Sequence, residues 1–175
     1  MPDSTLAATP HETIRWSIAT ESEFENLRAR YEAAVPAVDV TRLAELRAER
    51  ASWGSVVADA EVHAPHGFLR FWSADVGATM ALAGHSDACV TYLMGNHTIA
   101  ERMYRHDPAV MLYAPLRLTI HRAEKGRTRF SIDQPSTRFA SFSIPQIAAV
   151  GAELDQKVGD LLRVLDVPVP DAFGA

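Results

Sequence analysis

One cysteine in 175 residues excludes an intramolecular disulfide, because Cys89 has no second thiol to meet in its own chain. A lone thiol suits a reducing compartment. Positive charge is also scarce: 17 lysines and arginines face 22 aspartates and glutamates, for a net charge of −5. Such a chain lacks the broad basic surface that displaces counterions from phosphates, so nucleic acid is not an expected partner. No apolar run reaches the roughly 20 residues that span a bilayer, and no membrane association is expected. The opening Met-Pro-Asp-Ser-Thr has neither a basic start nor an apolar stretch behind it, which predicts no secretory leader. The protein therefore reads as cytoplasmic. G-x-S-x-G, the P-loop and G-x-G-x-x-G are all missing, so hydrolase-elbow, nucleotide and dinucleotide chemistry lack their motifs. No cofactor is implied.

What is present is ordinary globular material, 47% hydrophobic and 22% charged, in a chain long enough to bury a core without staples. Residues 1–10, with Pro2 and Pro10, read as a disordered tail. Residues 11–175 read as a single α+β domain, in which 11–52 elaborate a core at 53–166. Ile14, Trp16 and Ile18 alternate with polar residues and predict a strand over 12–18. Thr20 and Glu23 have the spacing of a capping box, and Phe24, Leu27 and Tyr31 follow at helical spacing until Pro36. Asp39 or Thr41 begins a second helix with Leu43 and Leu46. A third runs from Trp53 to Glu61, hinged at Gly54, and stops before Pro65.

The second half is more regular. Strands are predicted over 67–73 and 88–94. Thr98 and Glu101 form another capping box and open a short helix that Asp107-Pro108 closes. Leu116, Leu118 and Ile120, then Thr128, Phe130 and Ile132, alternate with polar residues as the arms of a hairpin turning at Gly126. In a simple register His121 would face Arg127, and Thr119 would face Arg129. Ser143 with Pro145 starts a last helix, whose apolar stripe runs through Ile147, Val150, Leu154, Val158, Leu161, Leu162 and Leu165. Helices and antiparallel hairpins mixed in this way predict an α+β fold, a mainly antiparallel sheet with helices packed on one face.

Several groups could carry chemistry. Asn96 and His97 stand at a helix start, where free N–H groups favour an anion and an imidazole can act as acid or base near neutral pH. The plainer reading is that Thr98 and Glu101 cap the helix and His97 meets water. Arg102, Arg105 and His106 form one basic face; Arg117, His121, Arg127 and Arg129 form another. Either suits forked bonding to a carboxylate or phosphate, and either also suits a solvated surface, the more common case. His63-Ala-Pro-His66 lacks helical ligand spacing because of Pro65, so no metal site is predicted. Cys89 reads as a small core filler. Residues 133–138 read as a Pro-containing turn, with Asp133 and Ser136 bonding local backbone, or as a loop lining a pocket with Tyr113. Phe68, Phe71, Trp72, Tyr92, Phe139 and Phe142 fill a core or line an apolar cavity.

Residues 53–165 resemble the bacterial domain-of-unknown-function family 302. The resemblance is carried by residues 68–75, by Tyr92-Leu-Met-Gly-Asn96, by Ile99-Ala100, by Val110-Met-Leu-Tyr-Ala-Pro115, by residues 116–121, by Gly126 and by residues 128–132. His97 stands where that pattern has proline, and residues 1–50 lie outside its core as a helical extension. The resemblance implies a compact α+β fold and a homodimer. It implies no reaction, substrate or catalytic residue.

Three functions are therefore expected, in order. The first is binding of a small anionic or amphipathic ligand by Asn96, Arg105, Tyr113 and Arg117, where the Asn96-His97 helix start meets segment 113–117 and the Asp133 loop. The second is an enzyme using His97 as general acid or base, oriented by Glu101 or Asp133. The third is a homodimerisation module associating through Phe24, Leu27 and Tyr31.

Overall fold

The computed structural model describes residues 6–122 and 126–174. The disorder expected for residues 1–5 falls outside that range. Five strands, β1 (Arg15–Thr20), β2 (Leu69–Asp75), β3 (Cys89–Gly95), β4 (Leu116–Arg122) and β5 (Thr128–Asp133), form one antiparallel sheet in the order β1-β5-β4-β3-β2. The helices are α1 (Phe24–Ala34), α2 (Val40–Ala48), α3 (Trp53–His63), α4 (Val76–Met80), α5 (His97–Tyr104), α6 (Pro135–Phe139) and α7 (Pro145–Val164). No described helix is long and apolar enough to cross a membrane.

Strand side chains alternate across the sheet, and the two faces have different fates. Val90, Tyr92, Met94, Leu116, Leu118, Ile120, Phe130 and Ile132 point to one face and are buried. There they meet Phe24, Leu27 and Tyr31 of α1, Ile99 and Met103 of α5, and the stripe of α7. Burying each such side chain stabilises the fold by roughly 1.5–3 kcal/mol. Arg117, Thr119, His121, Arg129, Ser131 and Asp133 point to the other face and stay partly or fully exposed.

Phe24, Leu27 and Tyr31 are 2%, 0% and 0% exposed, so the association surface expected from them lies inside the chain's own core. A polar link fastens α1 to the sheet. The Tyr92 hydroxyl donates to Glu32 (2.8 Å), and Arg28 donates to both Glu32 and Asp75 (3.2 Å each). Burial alone would raise the Glu32 carboxyl, but these hydrogen bonds outweigh it and hold the group below its ordinary value.

Other expectations are corrected in detail. Thr20 ends β1, and its hydroxyl accepts from Ser22 N rather than capping α1. Gly54 lies in the first turn of an unbroken α3 capped by Ser52. Trp72 is 50% exposed, because a bulge between Arg70 and Trp72 re-aims β2. Residues 135–139 form α6 instead of a turn, with Pro135 in its first turn. Ser143 has φ +56 and precedes α7 without capping it. The hairpin register is offset by two: His121 faces Arg129, and Thr119 faces Ser131. The connection after Arg122 is longer than a tight turn, and Gly126 takes φ +77 within it.

Candidate functional site

The site is organised by the point where β3 leaves the sheet. Pro115 packs on the strand end, its Cα about 3.4 Å from where a Cβ on Gly95 would stand, so segment 111–116 lies against Gly95. Asn96 follows as the N-cap of α5. Its carbonyl accepts from Thr98 N (2.9 Å) and the Thr98 hydroxyl (2.7 Å), while its amide donates to Gly67 O (3.2 Å). The cap is therefore Asn96 and not Thr98, and that side chain is fully used by the fold.

Segment 111–116 separates two recesses and lines both. The helix-covered side holds an apolar cavity of about 160 Å³ among Phe68, Phe71, His97, Met103, Phe139 and Leu154. On the open side of the sheet lies a cleft of about 560 Å³ among Arg15, Leu93, Tyr113, Arg117, Asp133 and Arg138. The parity of β4 produces the division: Leu116 points to the buried face and Arg117, its neighbour, to the open one.

Charge is concentrated in the cleft. Asp133 pairs with Arg138 through one oxygen and with Arg15 through the other (3.4 Å). The Arg138 guanidinium also stands 5.0 Å from the centre of the Tyr113 ring, a cation–π distance. The hydrogen bond that Arg138 donates to Asp133 raises the Arg138 pKa above its ordinary value. Arg117 is exposed and has no ionic or hydrogen-bonding partner among the described residues. Three guanidinium groups thus line the cleft beside one carboxylate, which pairs with two of them. From the N-terminal segment, His11 reaches the Tyr113 hydroxyl at 3.3 Å. The cavity carries almost no charge. His97 is half-buried and meets Phe71 edge-on, 5.8 Å between ring centres at 86°. Burial pushes the His97 imidazole below its usual pKa; Asp59 opposes the shift, and Arg47 adds to it.

The sequence-predicted residues therefore divide. Tyr113, Arg117 and Asp133 come together in the cleft. His97 and Asn96 line the cavity. Glu101 and Arg105 pair with each other on the outer side of α5 and line neither recess. Among the described residues no carboxylate is hydrogen-bonded to His97: Glu101 is held by Arg105, and Asp133 by Arg138 and Arg15. No group of three or more His, Cys, Asp or Glu side chains converges among the described residues. Cys89 is half-buried, and burial, then Asp75, raises its thiol pKa.

Sequence reasoning missed Arg15 as a cleft residue and reached Arg138 only as the end of the 133–138 loop beside Tyr113. It also missed Asp155, a buried carboxylate on α7 that accepts from Gln134 (2.8 Å) and Ser136 N (2.9 Å) and so anchors α6. The local signal for Arg138 was its place five residues beyond Asp133. Asp155 offered none, since its partners lie about 20 residues away on another element.

The model of a family described as Domain of unknown function DUF302 matches residues 45–165. The chain belongs to the DUF302 family. Its fold is similar to the crystal structure of an uncharacterised conserved DUF302 protein from Bacillus stearothermophilus. The TM-score is 0.59 at 17% identity, over 87% of this chain and 95% of that one. At that identity the likeness speaks to fold alone. No curated protein matches the chain. Both recesses of this DUF302 chain are built largely from the matched residues; Arg15 of the cleft comes from outside them.

Proposed function

We propose that this DUF302 chain binds a small anionic ligand, a carboxylate or phosphate, in the open-face cleft between Tyr113, Arg117 and Arg138. The carrying observation is the excess of guanidinium over carboxylate around a recess of about 560 Å³, a size typical of small-molecule sites. Arg117 has no partner to give up on binding. Asp133 and the Tyr113 ring hold Arg138 in place, so little side-chain freedom is lost when it engages an anion. Leu93 and Met111 supply apolar lining, which suits an anion with a short apolar body. With no carboxylate bonded to His97 among the described residues, and with Phe24, Leu27 and Tyr31 inside the core, neither the acid–base nor the self-association expectation gains support from geometry.

The test is thermal shift and calorimetry of the full chain with phosphate, citrate and benzoate, repeated on Arg117→Gln and Arg138→Gln. Hydrogen bonds to charged groups contribute about 1.5–3 kcal/mol, so at least one probe should bind the native chain and lose roughly tenfold or more in affinity in each variant. Equal behaviour of native and variant proteins toward every probe would remove the reading.

A further inference from the structure

A third recess lies on the far side of His97 from the cavity. Phe71 and His97, which wall the apolar cavity, also form the floor of a groove of about 380 Å³ beneath α2 and α3. Its sides are Leu46, Trp53 and Val56, and its mouth carries Arg47 and Arg50. These two helices pack loosely. Leu46 is the only buried residue of α2 and Ala60 the only one of α3, while Trp53 stays 46% exposed. Amphipathic helices ordinarily close their apolar sides on a core; here a gap remains. The groove's lining contains two guanidiniums and no carboxylate. Neither Arg47 nor Arg50 has an ion-pair partner among the described residues, whereas the neighbouring Arg42 is committed to Glu45 and Asp59.

We propose that this groove binds a single-chain fatty carboxylate of medium length, its head on Arg47 and Arg50 and its tail running along Trp53 and Val56 to the Phe71–His97 partition. Charge complementarity selects the head. Size selects the tail: the inner cavity alone, about 160 Å³, is close to the ~150 Å³ that accommodates one benzene ring, while the groove falls within the roughly 300–1,000 Å³ of ligand sites. The His97 ring at the partition limits how far the tail reaches. The site stands independently of the arginine cleft.

The experiment measures binding of hexanoate, octanoate, decanoate and 1-decanol to the full chain, by calorimetry and Trp fluorescence. Affinity should rise about fourfold per added methylene, and decanoate should bind roughly tenfold or more tightly than decanol. Arg47→Gln with Arg50→Gln should abolish the preference for decanoate over decanol. Val56→Glu, at a half-buried position, should abolish decanoate binding while the melting temperature of the free protein stays near native. His97→Ala should shift the preferred chain length upward by opening the partition to the cavity. The proposal is overturned if decanoate does not bind, or if its binding survives Val56→Glu and is lost in Arg117→Gln, which would place it in the cleft. Light scattering showing a dimer that Trp53→Ser dissociates would give the groove to a second copy and equally overturn it.

Discussion

The two faces of the sheet are made by the same five strands, yet successive residues on one strand live in different solvents. On β4, Leu118 is 1% exposed beneath α1, while Thr119 beside it faces the open side. The covered face is dry and is closed by α1, α5 and α7. On the open face lie the arginines, the hydroxyls and Asp133. Stability in this protein resides on one side of a single sheet, and the freedom to vary chemistry resides on the other. The cavity beside His97 and the groove under α2 and α3 are the exceptions, apolar places on the covered side that the core does not fill.

The sharpest way to break this comparison is to truncate neighbours. Leu118→Ala should cost about 2–5 kcal/mol in urea unfolding, and Thr119→Ala should stay within about 0.5 kcal/mol. Equal costs would mean that the open face is covered in solution. Next comes the hidden link between the faces. Asp155→Ala leaves Ser136 N–H without an acceptor and the Gln134 amide with only the Ser136 hydroxyl, so a loss of about 1–3 kcal/mol is expected. Loosening of α6 should carry Arg138 with it, visible as faster amide exchange over residues 135–139.

A smaller effect should follow pH. His97 titrates below its ordinary 6.5 in the folded chain, so the unfolded chain takes up its proton first as acid is added. Its contribution is complete above about pH 6.5 and declines as pH falls from there toward the native value. His97→Gln should flatten that part of the profile in urea midpoints taken at pH 7.5, 6.5 and 5.5. A midpoint that rises on acidification in the native chain but not in the variant would reverse the assignment. Smallest of all is Arg105→Ala. Its partner Glu101 sits on the same exposed helix side, and such pairs are screened by solvent. Neither unfolding midpoint nor ligand affinity should change measurably.

Legibility from sequence followed the range of the interactions. The arms of the β4–β5 hairpin and the stripe of α7 were readable, because period-two and period-3.6 patterns are local and repeat. The α6 helix was not, since five residues led by Pro135 look like a turn until Asp155 arrives from α7 to cap it. The hairpin register differs by two from the simple one because Gly126 belongs to a connection longer than a tight turn. The capping box expected at Thr20 does not form, because Thr20 accepts from Ser22 N and α1 starts without a side-chain cap; at α5 the side chain of Asn96 takes the place expected for Thr98. For the candidate site, residue types and neighbourhoods were legible: Tyr113, Arg117 and Asp133 do share a cleft. Its division was not. Whether His97 and Arg117 face one recess or two depends on strand parity and on how segment 111–116 crosses the sheet end, and neither can be read from either segment alone.

The edge position of β1 has a temporal side. Its partner residues run from Arg15 opposite Asp133 to Thr20 opposite Thr128, so more than a hundred residues must be made before the first strand can pair. At synthesis rates of about 5–20 residues per second this delay is on the order of ten seconds. Throughout it, Trp16 and Ile18 have no sheet to join, and closing so long a loop is among the slower steps available to a chain this size. Nascent chains arrested before Gly126 should therefore be cut by protease near residues 15–20, and chains released at full length should resist.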